Sequence, residues 1–455
     1  MNKLEIRTAL SLSAVFAVRM LGLFMILPIL PFFAEELNHA TPFLIGLAIG
    51  IYGLTQALLQ IPLGMLSDRI GRKPVIIGGL IIFALGSILA ALTDDIYIIV
   101  IARAIQGSGA IAATTMALAA DLSREDHRAK MMAFIGMSIG LSFALAMVLG
   151  PVISQWAGLS GVFWTTALLA IIGILLILFI VPNPKKTKIH RDAGIITDYI
   201  KPVLREGTLL RMNASVFLLH LLMTATFITM PLILRDNMRL NNIIEHSYIY
   251  LPILFVSVIF SLPMIIIAEK YRKIKIVFIL AVGLLIISQG LMGFSQYNFF
   301  WLMFSFLLFF IGFNFLEAVQ PSLVAKYSDV NTKGTAMGVY SSAQFFGSFI
   351  GGTFGGLALQ YWGTTGIFIF GVIVASLLLI VAISLPKPDF FKSQVIKLKD
   401  KYLENTREST AQLLAIKGVK QAAISVDEGV AYIKIDKIEI DEESLGTFIY
   451  TQIPR

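Results

Sequence analysis

The sequence predicts an all-α membrane protein of twelve transmembrane helices in two six-helix halves, followed by a small α+β domain at the C-terminus. Of its 455 residues, 57% are apolar and only 14% are charged, whereas a soluble domain carries about a quarter charged residues. Apolar runs long enough to cross about 30 Å of hydrocarbon recur throughout residues 1–386. From residue 387 onward the composition becomes that of a soluble chain, with 11 basic and 11 acidic residues.

Each predicted span is a run of roughly 20 apolar residues between charged, proline or glycine breaks. The first span follows Lys3 and Arg7 but is longer than the apolar core of a signal peptide, so we expect it to be retained. The predicted spans are 10–33, 43–66, 74–93, 96–120, 130–155, 161–182, 209–234, 247–268, 275–295, 298–322, 335–360 and 365–386.

Basic residues collect in alternate loops between these spans. One side holds 21 Lys and Arg residues, and the other holds only Arg235 and Arg239. Because short cytoplasmic loops are rich in Lys and Arg, we expect both termini to be cytoplasmic. The one long polar interruption, 183–208, separates the halves 1–182 and 209–386. The net charge of +8 therefore indicates membrane orientation, and we expect no nucleic-acid partner.

Several classes of chemistry have no residues to support them. The chain has no cysteine, which excludes disulfides and thiolate metal sites. It has no phosphate-binding Gly-x4-Gly-Lys-Ser/Thr loop, no nucleophile elbow and no His-Glu-x-x-His motif. We therefore expect neither an enzyme nor an ATP-driven pump, and no cofactor or metal.

The loop between spans 2 and 3 combines glycines with an acid and basic residues. Glycine permits close helix approach and a tight turn, and a carboxylate is stabilised at a helix N-terminus. A solvated basic loop that only sets orientation is the alternative. The residues concerned are Gly64, Asp68, Arg69, Gly71 and Arg72.

Spans 4 and 5 contain two further motifs. Span 4 has Arg103 followed by a Gln-Gly-x-Gly run with Gly107 and Gly109, where small residues allow close packing. An arginine inside a span usually faces a cavity or a partner, although a side chain extended to the outer face is the alternative. Span 5 has Gly150 and Pro151, which either mark function or kink the helix for packing.

These motifs resemble those of the major facilitator superfamily, in its drug/proton antiporter branch, and the resemblance covers essentially the whole chain. It implies a charge network of Asp68, Arg72 and Asp121 that latches the cytoplasmic side shut, with Asp68 at the N-terminus of span 11. The Gly150–Pro151 pair resembles the motif of proton-coupled exporters, although Ser154 and Gln155 replace the glycines expected after it.

A few polar side chains lie inside the spans. A carboxylate in hydrocarbon is a functional candidate by default, and a structural hydrogen bond is the alternative for each of these groups. We read Asn314, Glu317 and Gln320 as one helical face, and Tyr52, Gln56 and Gln60 as a stripe that lines the cavity or joins helices. The candidate residues for proton coupling or substrate binding are Arg19, Tyr52, Gln56, Arg103, His220, Asn314 and Glu317.

The segment 395–455 follows a linker at 387–394 and reads as strand, helix, strand, strand and helix over 394–399, 407–416, 419–426, 429–435 and 441–452. This order predicts a ferredoxin-like module. It resembles small metal-chaperone domains of that fold but lacks their Cys-x-x-Cys, so no metal is expected. We expect a regulatory module that binds a cytoplasmic partner or self-associates.

The resemblance implies a secondary transporter of a bacterial inner membrane, working between a small-molecule substrate, protons and the lipid bilayer. Proton-coupled efflux by alternating access is the leading hypothesis. Two alternatives stay open: a nutrient symporter or facilitator, and a membrane sensor that signals through its tail.

Overall fold

The computed structural model describes residues 3–123, 125–183, 196–240, 242–388, 391–426, 429–436 and 439–449. Nearly half of the predicted linker 183–208 (residues 184–195), part of the second linker (389–390) and the two residues between the predicted strands 419–426 and 429–435 lie outside these residues. The membrane helices are α1 (Lys3–Phe24), α2 (Ile26–Phe32), α3 (Pro42–Ile70), α4 (Arg72–Ala91), α5 (Ile96–Ser108), α6 (Ala112–Asp121), α7 (Glu125–Leu175), α8 (Ile200–Arg205, a short connecting helix), α9 (Gly207–Asp236), α10 (Ile243–Lys270), α11 (Ile274–Ser295), α12 (Phe299–Tyr327) and α13 (Lys333–Ser384).

Two helices are far longer than a membrane is thick. Helices α7 and α13 have 51 and 52 residues, about twice the length that a bilayer needs at 1.5 Å per residue. Each is interrupted by a glycine with positive φ, Gly158 at 63° and Gly363 at 66°. These glycines lie between the predicted spans 5 and 6 and the predicted spans 11 and 12. Within the described chain, ten helical stretches are long and apolar enough to cross a membrane. The two longest, interrupted at Gly158 and Gly363, each cross twice, so the total is twelve crossings, as predicted.

An even number of crossings places both ends of the membrane region on one side. We term this side, where α1 begins and α13 ends, the terminal face, and the opposite side the far face. Residues that cap helices lie at these faces, including Thr41 before α3 and Asp95 before α5. The backbone N–H of Tyr97 donates to the Asp95 carboxylate at 2.8 Å and holds the pKa of Asp95 below its usual value.

The two halves contact each other closely near the far face through α3 and α13. At Gly46 the Cα approaches the carbonyl of Gly352, and at Gly50 it approaches the backbone of Phe349, so closely that a Cβ at either glycine would collide. Glycine is needed at these positions because backbone meets backbone. We term this contact the glycine seam.

A charged contact also joins the halves at the far face. The Arg235 guanidinium at the end of α9 donates to Glu35 at 2.8 Å and to the Phe32 carbonyl at 3.0 Å, and it pairs with Asp236 at 2.6 Å. Glu35 and Phe32 belong to the N-terminal half. The far face is therefore closed in this conformation.

The C-terminal domain has a three-stranded antiparallel sheet of β1 (Lys392–Lys397), β2 (Val419–Ser425) and β3 (Val430–Ile435), in the order β1-β3-β2. Helix α14 (Lys401–Glu404), which was not predicted, precedes α15 (Thr406–Ala415), and α16 (Glu442–Gly446) follows β3. This arrangement is consistent with the predicted ferredoxin-like domain.

The predicted helix 441–452 is wrong in length, because α16 ends at Gly446 and Ile449 bridges to Leu398 beside β1. Asp441 caps α16 through Ser444, whose hydroxyl and backbone N–H lower the pKa of Asp441.

The sheet contacts the membrane region at its terminal face. The Lys434 ammonium, on β3, donates to the carbonyls of Lys326 at 2.7 Å and Ser328 at 2.5 Å, where α12 ends. A cation is stabilised at this position by the helix dipole. Val330, in the loop after α12, packs against Val430 of the sheet. Strand β1 also lies beside α7 of the other half.

Candidate functional site

A hydrogen-bonded cluster of three side chains lies in the interior of the C-terminal half. His220 Nε2 on α9 lies 3.0 Å from Glu317 Oε2 on α12. Gln344 on α13 donates its side-chain amide to Glu317 Oε1 at 3.1 Å, and the same nitrogen lies 2.8 Å from His220 Nε2. The His220 and Glu317 atoms are close enough to share one proton. We term this group the His–Glu cluster.

The exposure of the cluster is uneven. The His220 side chain is 10% exposed, whereas the Glu317 side chain is 36% exposed. A carboxylate inside a membrane span is costly unless it is paired or protonated. The cluster therefore combines a paired carboxylate with partial exposure of that carboxylate.

The predicted common face of α12 is wrong. Asn314 donates to Ser257 of α10 at 2.8 Å, whereas Gln320 donates to Ser215 of α9 at 3.0 Å and accepts from Tyr340 of α13. Because a helix turns about 100° per residue, six residues place these two amides on different sides. Only Glu317 among the three joins the His–Glu cluster.

In the N-terminal half, Arg19 of α1 is buried to 1% exposure. It donates to the amide oxygen of Gln56 on α3, and its guanidinium carbon lies 5.9 Å from the ring centroids of both Tyr52 and Phe83. This distance is within the range of a cation–π contact. Three of the candidate residues from spans 1 and 2, Arg19, Tyr52 and Gln56, thus lie together.

Arg103 of α5 is fully buried, so it does not extend to the outer face. Its Nε donates to the Ala48 carbonyl at 3.2 Å and its Nη1 donates to Gln106 at 2.8 Å. Its guanidinium carbon lies 4.9 Å from the Tyr52 ring centroid. Tyr52 therefore lies close to two arginines from different helices, and we term Arg19, Arg103 and Tyr52 the arginine cluster.

A line of amides connects the arginine cluster with the opposite half. Gln56 donates to Gln60 at 3.4 Å, and Gln60 donates to the Gly338 carbonyl of α13 at 3.4 Å. Ser341, one helical turn before Gln344 of the His–Glu cluster, also donates to Gln60. In this conformation the polar stripe of span 2 therefore joins helices, and its role in lining a cavity stays a prediction.

The charged residues predicted to form a latch lie at the terminal face. Arg72 is buried and pairs with Asp68 and, at 3.1 Å, with Asp121. It also donates to Ser67, whose hydroxyl donates to the Gly64 carbonyl at 2.6 Å.

The chain turns from α3 into α4 at Gly71, which adopts a φ of 99° that favours glycine. Arg69, at the end of α3, is exposed.

The expected contact of Asp68 with the N-terminus of span 11 is not made in this conformation. Among the described residues, the Asp68 carboxylate pairs with Arg72, and the hydroxyl of Thr335 at the start of α13 bonds with the backbone of Ile196. A latch at this position stays a prediction for the opposite conformation.

The motif glycines lie at helix contacts. A Cβ at Gly107 would collide with the Tyr52 carbonyl on α3, and one at Gly109 would collide with the Gly79 carbonyl on α4. Gly150 lies against the Met25 carbonyl, 3.0 Å from where its Cβ would stand. Pro151 lies within α7, and the backbone departs from helical geometry at Gly158 instead. Close packing therefore accounts for these positions in the described conformation.

Gln344 and Arg235 were missed by sequence reasoning. Gln344 lies one turn beyond Ser341 on α13, and that polar spacing is a usable signal. Arg235 was counted only for orientation, because no local pattern connects it with Glu35.

A twelve-span bundle of two halves, with polar clusters in its interior, defines a multi-pass membrane transport protein. The sequence profile of the Major Facilitator Superfamily matches residues 12–315 and 251–426. The chain is 44% identical over 432 residues to the inner membrane transport protein YajR of Escherichia coli K12, covering 95% of this chain and 94% of that protein. The chain belongs to the major facilitator superfamily and is a transporter, not an enzyme.

Two further comparisons agree with this assignment. An uncharacterized transporter of Buchnera aphidicola subsp. Baizongia pistaciae is 35% identical over 372 residues, covering 81% of this chain and 94% of that protein. The crystal structure of a D-xylose–proton symporter superposes with a TM-score of 0.68 at 15% identity, covering 85% of this chain and 99% of that one. This second likeness concerns the fold.

Proposed function

We propose that this protein is a proton-coupled exporter of a small molecule that works by alternating access. The His–Glu cluster is the observation that carries the proposal. Inside the membrane region, Glu317 Oε2 and His220 Nε2 lie 3.0 Å apart, which is a hydrogen-bonding distance. Gln344 on α13 contacts both side chains. Because α13 also forms the glycine seam with α3, a change of protonation acts directly on the helix that joins the halves.

The state of the two faces supports the transport cycle. The far face is closed by the glycine seam and by Arg235, whereas Asp68 at the terminal face pairs within its own half. This arrangement suits the conformation that opens to the terminal face. In the opposite conformation, Asp68 would contact the N-terminus of α13, and the contact of Arg235 with Glu35 would separate.

The proposed setting is the inner membrane of a bacterium, with both termini in the cytoplasm. The distribution of 21 basic loop residues on the terminal face against two on the far face supports this orientation. The name of the YajR relative supports the inner membrane. The terminal face would then be cytoplasmic, and residues 395–455 would be available to a cytoplasmic partner or to self-association.

Proton coupling is tested in proteoliposomes that contain the full chain and a trapped pH indicator. Under an imposed pH gradient, a panel of cationic, neutral and permanently anionic compounds is added, and proton counterflow is recorded. Antiport moves protons against the substrate, whereas symport moves them with it and a facilitator moves none. A folded protein without flux that still captures a partner through 395–455 would instead support a sensor.

The matched variant Glu317→Gln keeps the shape of the side chain but cannot titrate. We expect it to lose net proton-coupled flux while exchange of substrate across the membrane continues, because exchange needs no change in protonation. Glu245→Gln, the same change at the beginning of α10, is the control and should behave like the wild type. Unchanged coupling in Glu317→Gln would return Glu317 to a structural role.

A further inference from the structure

We propose that the arginine cluster binds the acidic group of the transported molecule, so that the substrate is an organic anion with a carboxylate or sulfonate beside an apolar body. This inference rests on the proposed transport function and names the substrate class of the same protein. Three observations carry it: the charge, the open donors and the position of the cluster.

The described residues do not balance the charge of the cluster. Arg19 and Arg103 are 1% and 0% exposed, and the ion pairs of the described residues give neither of them an acidic partner. Arginine keeps its proton in proteins, so it cannot escape the cost of burial by becoming neutral. Two permanent cations near one aromatic ring therefore favour the entry of an anion.

The guanidinium groups also retain unused hydrogen-bond donors. Nε and Nη1 of Arg19 and Nη2 of Arg103 are buried without a hydrogen-bond partner among the described residues. Buried polar atoms are almost always satisfied in proteins. Planar guanidinium groups bind carboxylates and related oxyanions through paired N–H···O bonds. These nitrogens are suited to an oxyanion, whereas an ammonium or an uncharged ligand would leave the charge unbalanced.

The cluster lies next to the opposite half. The rings of Tyr52 and Phe83 pack together, and Phe345 of α13 packs against them from the C-terminal half. Movement of α13 relative to α3 would therefore uncover the cluster. The aromatic walls are suited to an apolar ring attached to the anion, and the amides of Gln56 and Gln60 connect the site with α13.

The test uses three compounds that share a naphthalene ring and carry an anionic, an uncharged or a cationic substituent: 1-naphthalenesulfonate, 1-naphthalenemethanol and 1-naphthylmethylammonium. A sulfonate stays anionic and does not cross the bilayer as a neutral acid. Binding to the detergent-purified full chain is measured by calorimetry and by the shift in thermal unfolding, without any pH gradient. We expect saturable binding of the sulfonate alone.

The variant Arg19→Gln should weaken sulfonate binding at least about tenfold, as expected for loss of a charged hydrogen bond. Its unfolding temperature without ligand should equal or exceed that of the wild type, because an unbalanced buried charge is removed. Arg19→Lys keeps the charge, so it covers the case in which Arg19→Gln does not fold, and it should weaken binding less. Arg211→Gln removes an exposed cation at the beginning of α9 and serves as the control.

Equal binding of the sulfonate and the alcohol would overturn the proposal. So would unchanged sulfonate affinity in folded Arg19→Gln, or in Arg19→Lys if Arg19→Gln does not fold. A lower unfolding temperature for Arg19→Gln in the absence of ligand would also overturn it, because a purely structural arginine predicts that result. Sulfonate binding without proton counterflow in proteoliposomes would leave the anion site standing and refute the proton-coupled function. Proton counterflow without sulfonate binding would refute the anion site and leave the proton-coupled function standing.

Discussion

The two halves of the membrane region match at the terminal face and differ in the interior. In the N-terminal half, Asp68 and Asp121 pair with Arg72 where spans 2 and 4 end. In the C-terminal half, Glu269 pairs with Lys326 at 2.7 Å where spans 8 and 10 end. Both halves therefore carry an acid where span 2 or span 8 ends and a charge pair beside it, as expected of structural repeats, although the acid at the end of span 4 corresponds to a base at the end of span 10.

The interior clusters show no such correspondence. The N-terminal half buries two arginines without an acidic partner among the described residues, whereas the C-terminal half holds a carboxylate and an imidazole in contact. The repeats thus share a scaffold but have diverged in their chemistry. One half is suited to a ligand that supplies negative charge, and the other to a proton.

The largest expected effect comes from giving the N-terminal half its own counter-ion. Gln56→Glu places a carboxylate where Arg19 already donates. We expect sulfonate affinity to fall about 100-fold, because the new ion pair occupies the guanidinium. The unfolding temperature without ligand should rise, since the buried Arg19 guanidinium and the new carboxylate each gain a partner.

The matched control makes the same change at an amide that bonds to a hydroxyl instead of a guanidinium. Gln289 is also buried, and its amide donates to Thr226 at 3.0 Å in the C-terminal half. Gln289→Glu should lower the unfolding temperature, because it buries a carboxylate in a site built for an amide donor. If both variants shift the unfolding temperature in the same direction, the contrast between the interiors is wrong.

A smaller effect is expected from the terminal-face charges. The Asp68 side chain is 15% exposed, and a partly buried carboxylate gains up to about 2 kcal/mol at a helix N-terminus. If that contact forms only when the terminal face closes, Asp68→Asn should shift the population away from the closed form by up to about 30-fold. Turnover should slow accordingly.

Distance distributions between spin labels at Ile70 and Lys333 measure this population. Glu269→Gln is the comparison in the other half, and it should leave the distances unchanged because its partner, Lys326, lies in the same half. Identical distributions in Asp68→Asn and the wild type would remove support for the latch.

The smallest effect is expected from the C-terminal domain. Truncation after Leu385 removes the contact of Lys434 with the end of α12 but no interior residue. Because such interfaces between domains are modest, flux should stay within about twofold of the wild type. Full-length Lys434→Met, which loses the same contact, should also keep its flux within about twofold of the wild type. A well-folded truncated protein without flux would make the domain part of the transport machinery.

The sequence predicted the spans well because each is written in local hydropathy. It also located the breaks near Gly158 and Gly363, and it selected Arg19, Tyr52 and Gln56 as candidates without predicting that they contact one another. Helical periodicity cannot tell which other helix a side chain meets, and this is why Asn314 and Gln320 were assigned to one face. For the same reason, Gln344 was not joined to the His–Glu cluster.

The contact of Arg235 with Glu35 was beyond prediction for a related reason. The two residues lie 200 positions apart, and their meeting depends on how two whole halves are set against each other. The position of Lys434 on the α12 terminus likewise depends on how the domain docks. Both are consequences of assembly, and no run of neighbouring residues records them.

The glycine seam has a consequence for the speed of the cycle. At Gly46, Gly50 and Gly352 the halves meet backbone to backbone, and glycine has no side-chain rotamers to lose. Reclosing this part of the interface therefore demands little search among side-chain arrangements. In the proposed cycle, the seam therefore separates and re-forms quickly. The slower and more selective conformational steps depend on the charged groups on either side of it.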